Sequence, residues 1–182
     1  IFRAEIDPNT LVGFDHPKKK ETKVLPISVI EKIRNAIQSS SRPLIIVGSG
    51  VKLANAEKEA VDFIKRTNIP CVTSWPAIDL FDSDFDQLVG SCGTSANRPG
   101  NFATQSCDLL ISLGCRLNGL ITGNNASNFA TNALKIMVDI DINELNKFQY
   151  FDLKFDQLIH CDLRDFFNNF SKLEPAEDTS NN

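Results

Sequence analysis

The amino-acid sequence is poor in the residues that most chemistry needs. It holds two histidines, one methionine, one tryptophan and one tyrosine among 182 residues. Neither His16 nor His160 stands in a metal set or a credible catalytic triad. Walker and GxSxG motifs are missing, so neither P-loop phosphoryl transfer nor serine hydrolysis finds support. No apolar run approaches the roughly 18 residues that a membrane helix needs, and no charged-then-apolar leader is visible. The formal net charge is −4, and the only basic run, at residues 18–20, has Asp15 and Glu21 close by. Nucleic-acid binders carry a broad basic face, so this run reads as a solvated loop. None of the five cysteines forms a CxxC pair with another, which argues against zinc and disulfides. Cys71, Cys107, Cys115 and Cys161 lie in or beside apolar runs, where Cys behaves as a small buried hydrophobe. An odd cysteine count without a leader predicts a reducing, cytoplasmic setting. The chain starts at Ile1, and the expectation is an internal segment of a longer protein.

What is present is an ordinary globular composition, 42% hydrophobic and 23% charged. Residues 1–25 lack a clear period and read as an extended lead-in or interdomain segment; residues 26–173 form the α/β domain, and 174–182 a polar, linker-like tail. Pro26 opens a helix with Ile30, Ile33 and Ile37 at helical spacing. Leu44 to Val47 is a wholly apolar strand that stops at Gly48-Ser49-Gly50. A helix from about Asn55 to Thr67 carries Ala56, Ala60, Phe63 and Ile64 on one face. Further strands are expected at residues 70–73, 88–90, 109–113, 134–138 and 158–160, and a helix begins at Pro99 with Phe102 and Ala103. The last helix places Leu163, Phe166, Phe167 and Phe170 in one stripe. Strands that are apolar throughout suit a parallel sheet covered on both faces. The expectation is therefore α/β: a doubly wound, mainly parallel six-stranded sheet flanked by helices, Rossmann-like.

In such sheets, ligands bind beyond the carboxyl ends of the strands. That rule selects Gly48, Ser49 and Gly50 after the first strand and Ser74 and Trp75 after the second. Gly90, Ser91, Cys92, Gly93 and Thr94 follow the third; Gly114, Cys115 and Arg116 follow the fourth. Asp139 and Asp141 close the fifth, and Asp162 the sixth. Glycines there admit a ligand to the backbone, and Arg116 offers a cation for a pyrophosphate. The nicotinamide-dinucleotide fingerprint is incomplete, because Leu53 stands where a third glycine belongs. Ser74 and Trp75 occupy the place of its ribose-binding acid. His160, inside an apolar strand, reads as a core or strand-end residue. The residues alone point to a possible nucleotide site and no catalytic machinery.

Five segments carry a family resemblance: RPLIIVGSG (42–50), IPCVTSWPAIDLF (69–81), GSCGTSANRPGNFA (90–103), CDLLISLGCRL (107–117) and KIMVDIDINELNK (135–147). In order and spacing they resemble the central domain of thiamine-diphosphate-dependent enzymes of the acetolactate synthase large-subunit type. The resemblance implies a DHS-like nucleotide-binding domain, itself non-catalytic, between N- and C-terminal domains that bind thiamine diphosphate and Mg²⁺. It implies a parent enzyme that decarboxylates a 2-keto acid and transfers the resulting carbanion to an acceptor, as a homodimer or homotetramer. No GDG tripeptide occurs here, so this segment is expected to be inactive and to bind neither thiamine diphosphate nor Mg²⁺. FAD or ADP is what such a middle domain holds, through Gly48, Ser49, Gly50, Ser74, Trp75, Gly90, Ser91, Cys92, Gly114, Arg116, Asp139 and Asp162. Two departures bear on FAD and leave three readings of the strand-end site open: FAD, another nucleotide, or an empty site whose glycines only make turns in a spacer domain. Asn118-Gly119-Leu120 replaces an acidic-acidic-Arg stretch, and Cys92 replaces a His. The alternative is a free-standing FAD- or nucleotide-binding module of the electron-transfer-flavoprotein or sirtuin-like type.

Overall fold

A strand that is apolar on both sides needs cover on both faces, and each of the central strands has it. The computed structural model describes residues 5, 7–13 and 24–172. The basic run, His16 and the expected tail lie outside them. In chain order the elements are α1 (Ile27–Ser39), β1 (Pro43–Val47), α2 (Gly50–Leu53), α3 (Glu57–Thr67), β2 (Cys71–Thr73), β3 (Leu88–Ser91) and α4 (Arg98–Ser106). Then come β4 (Leu109–Leu113), α5 (Gly119–Thr122), β5 (Leu134–Asp139), α6 (Ile142–Asn146), β6 (Gln157–His160) and α7 (Leu163–Lys172). Short 3-10 turns stand at Trp75–Ala77, Ala126–Asn128 and Lys147–Tyr150.

The six strands form one sheet in the order β3-β2-β1-β4-β5-β6. Every neighbouring pair is parallel. This is the doubly wound order in which the chain reverses its winding between β1 and β4. Alternate residues of β1 serve opposite faces. Ile45 and Val47 join the core under α1, α3 and α7, whereas Leu44 and Ile46 join a second core with Leu110, Met137, Leu145 and Phe148. Both cores are closed by residues at or near zero exposure.

The aromatic stripe of α7 does what its spacing requires. Phe166, Phe167 and Phe170 surround Phe63 of α3, with ring centroids 5.9, 5.5 and 4.9 Å away. The expected helices around residues 55–67 and after Pro99 are both present. The helix expected from about Asn55 to Thr67 is α3, and the unexpected α2 before it is set apart by Asn55 in a left-handed conformation (φ 48°). Asn tolerates that conformation better than most side chains. The α4 helix carries Phe102 and Ala103 as expected, with Phe102 74% exposed and Gly100 and Thr104 buried.

At the opposite edge of the sheet from the candidate site, Asp108 ties the start of β1 to β4. Its carboxylate accepts from the Ser40 hydroxyl, from the Ser41 amide at 2.9 Å and from the Arg42 amide at 2.8 Å. These donors, the Ser40 hydroxyl foremost, hold its pKa down at about 2.

Candidate nucleotide site at the strand ends

Parallel register brings the candidate residues to one edge. Val47 is level with Thr73 and Leu113, Leu113 with Val138, and Asp139 with His160. The residues that follow therefore emerge side by side. The structure divides them between two neighbouring cavities that share Pro76. One, of about 640 Å³, is lined by Ser49, Gly50, Gly114, Arg116, Asp139, Asp141 and Asp162, with Leu53, Ile140 and Leu163. The other, of about 240 Å³, is lined by Trp75, Ser91, Cys92, Gly93 and Thr94, with Ile78, Asn118, Leu120 and Ile121. Gly48, Ser74 and Gly90 lie at the same strand ends but line neither cavity.

Gly48 has another task. A Cβ on it would meet the Gly114 carbonyl oxygen at 2.1 Å, and one on Gly50 would meet the Gly114 Cα at 2.7 Å. The two loops touch backbone to backbone. Gly48 N–H donates to the Leu113 carbonyl (2.9 Å) and Gly50 N–H to the Gly114 carbonyl (3.0 Å). Both amides are thus engaged inside the fold. Within that glycine run, the Ser49 amide is the one without an acceptor among the described residues. Ser74 is buried.

The second cavity is closed by a similar approach. Thr94 N–H donates to the Leu120 carbonyl at 2.7 Å, and a Cβ on Gly93 would come within 2.6 Å of that oxygen. Asn101 clamps Gly93 from α4, accepting from its N–H (2.8 Å) and donating to its carbonyl (2.9 Å). Gly90 lies against the Asn97 side chain, which caps α4. Cys92 is 4% exposed, and burial pushes its thiol up to about 12. It is a wall of this cavity rather than a reactive group.

Charge in the larger cavity runs three carboxylates against one guanidinium. Arg116 reaches Glu144 at 3.9 Å and stays 70% exposed, a loose contact that a stronger anion can replace. Burial raises the Asp139 pKa, against the Asp141 amide, which donates to Asp139 Oδ1 at 2.9 Å. Asp162 accepts from the Arg164 amide at 2.9 Å at the start of α7. His160 is exposed on the edge strand, its Nε2 2.9 Å from the Ile140 carbonyl oxygen. Sequence reasoning missed Glu144, the partner of Arg116. The signal was there: Asp141 caps α6, and Glu144 three residues on completes the spacing of a capping pair. The set fits part of a nucleotide. Carboxylates at Asp139 and Asp162 are acceptors for sugar hydroxyls, and Arg116 with the Ser49 amide can face one phosphate. A full glycine cradle for a pyrophosphate is not formed, since Gly48 and Gly50 use their amides internally.

Among the described residues, no group of three or more His, Cys, Asp or Glu side chains is placed to hold a metal ion. No described helix is long and apolar enough to cross a membrane. Residues 30–168 match the family described as "Thiamine pyrophosphate enzyme, central domain". The chain belongs to that family. The matched span runs from within α1 to within α7 and so takes in all six strands of this central domain. Its relatives include the acetolactate synthase isozyme 2 large subunit of Escherichia coli (strain K12), 32% identical over 67% of this chain and 22% of the relative. A probable acetolactate synthase large subunit of Methanococcus aeolicus is 36% identical over 65% of the chain and 20% of the relative. The acetolactate synthase large subunit of Pyropia yezoensis is 40% identical over 61% and 19%. The central domain therefore spans about a fifth of the length of the curated relatives it matches.

Proposed function

We propose that this chain is the non-catalytic central domain of a longer acetolactate synthase-like enzyme. That parent decarboxylates a 2-keto acid and transfers the resulting carbanion to an acceptor. The observation that carries the reading is the coincidence of the matched span, residues 30–168, with the six-stranded unit, in relatives named as acetolactate synthase large subunits. Thiamine diphosphate supplies the carbanion chemistry when bound. The reading places it and Mg²⁺ in N- and C-terminal domains outside this chain, joined in a homodimer or homotetramer of the parent in the cytoplasm.

Within the central domain the strand-end groove takes the nucleotide, FAD or ADP. Ser49, Gly50, Gly114, Arg116, Asp139 and Asp162 are the residues that would hold it, with Asp139 and Asp162 toward sugar hydroxyls and Arg116 toward phosphate. Trp75, Ser91, Cys92 and Leu120 wall the adjoining apolar cavity, where a flavin ring would meet Leu120 rather than a cation. Gly48, Ser74 and Gly90 act indirectly, by shaping the loops. A turnover assay on the intact parent, with a panel of 2-keto acids including pyruvate, tests the reading. Carbon dioxide release that depends on added thiamine diphosphate and Mg²⁺ supports it, and a parent that releases none contradicts it.

A further inference from the structure

A third cavity, of about 560 Å³, opens beside the strand-end groove and shares only Asn118 with it. One wall is the loop after β4, at residues 117–127; the other is the turn after β5, at 147–152. Its base is apolar, with Leu117 2% and Phe148 7% exposed. At its mouth stand two consecutive rings, Tyr150 (81% exposed) and Phe151 (57% exposed). The fold gains little burial from either, and adjoining exposed aromatic faces mark binding sites.

Apart from Lys147 and the exposed Asp152, whose carboxylate would repel an anion and accept from a hydroxyl, the polar groups of the lining are neutral, and their orientation is set. Asn118 Oδ1 accepts from the Leu120 amide at 3.2 Å, and Asn125 Oδ1 accepts from the Ser127 amide (3.2 Å) and hydroxyl (2.7 Å). With each carbonyl end fixed, the Nδ2 end is left as a donor. Asn124 beside them is exposed. The Thr122 hydroxyl donates to the Asn118 carbonyl at 3.2 Å and keeps its oxygen as an acceptor. Lys147, the one cation of the lining, is already held by Glu144 Oε2 at 2.6 Å and by the Arg116 carbonyl. A phosphate would find no free cation here, and an aliphatic ligand would leave amides unpaired. A hydroxyl group both donates and accepts, and the C–H face of a sugar ring suits an aromatic face. We propose that this cavity binds a neutral saccharide, its hydroxyls on Asn118, Asn124 and Asn125 and its C–H face on Tyr150 and Phe151. This goes beyond the nucleotide groove and does not depend on it.

The test is amide-resolved NMR titration of the ¹⁵N-labelled chain with glucose, galactose and N-acetylglucosamine, and separately with ADP. At least one sugar is expected to shift the amides of Gly119, Gly123, Asn124 and Asn125 saturably. Gly119→Trp places a ring in the cavity at a position with no heavy atom within 4 Å of an added Cβ, and should abolish those shifts. Asn124→Ala touches no core packing and should weaken binding about tenfold, the loss of one or two hydrogen bonds. The proposal is overturned if no sugar moves these amides, if both variants leave the titration unchanged, or if ADP is the ligand that moves them.

Discussion

Gly48 and Gly114 meet backbone to backbone where the sheet reverses its winding, with 2.1 Å between a Cβ built on Gly48 and the Gly114 carbonyl oxygen. The obstacle is main chain on both sides, so neither loop can yield without moving a strand end. Gly48→Ala is expected to destabilise the domain by about 3 kcal/mol, the upper part of the range for overpacking. Gly119→Ala, where the added Cβ meets nothing within 4 Å, should change stability by no more than about 0.5 kcal/mol. Urea denaturation of both variants measures the difference.

The ring cluster around Phe63 joins α3 to α7, with Phe170 edge-on at 4.9 Å. Phe63→Ala should cost about 3–5 kcal/mol. Phe102→Ala removes an equally large side chain that is 74% exposed, and should fall within about 0.5 kcal/mol of the unchanged chain. Equal losses for the two would mean that α7 is not docked as described.

Much of this was legible in the sequence, for a physical reason. Apolar strands such as Leu109–Leu113 and the α7 stripe repeat one signal over several residues, so no single residue decides it. The elements that were missed are short: α2, α5 and α6 have four or five residues each, too few for a period. Each hangs on one residue, Asn55 ending α2 and α3's run-up, Asn118 capping α5, Asp141 capping α6. That the candidate residues share one edge was legible, since parallel register places strand ends together. Which glycine amides were free was not, because Gly48 and Gly50 bond to a loop some 65 residues further on in the chain.

Acid should loosen the Asp108 clip in a defined window. Its folded pKa of about 2 lies below the ordinary carboxylate value of about 3.9. A depressed pKa contributes stability above the unfolded value and loses it as pH falls through the folded one. Asp108→Asn should therefore lower stability at pH 7 and flatten its fall between about pH 4 and pH 2. The group is only partly buried, so the loss should not exceed about 1 kcal/mol. Thermal melts across that pH range check the slope.

Asp139 carries the opposite sign. Burial raises its pKa, so the fold prefers its neutral form, and stability falls as pH rises through the folded value. Asp139→Asn should leave the domain at least as stable at pH 7 while weakening nucleotide binding about tenfold, through loss of a charged acceptor. Calorimetry and denaturation on one preparation separate the two effects.

Burial pushes the Cys71 and Cys92 thiols up to about 12, and the Cys107 and Cys115 thiols up to about 11. Cys161 is 2% exposed. A thiol-reactive disulfide reagent at pH 8 should therefore label almost none of the five in the folded chain and all of them in denaturant. Rapid labelling of Cys92 in the native chain would show that the second cavity is open.

The most direct test of the account is calorimetric titration of this chain with ADP, FAD, and thiamine diphosphate plus Mg²⁺, each alone. The account predicts saturable binding of ADP or FAD, weakened in Asp139→Asn, and no binding of thiamine diphosphate. Binding of thiamine diphosphate by this chain, or of neither nucleotide, would contradict it.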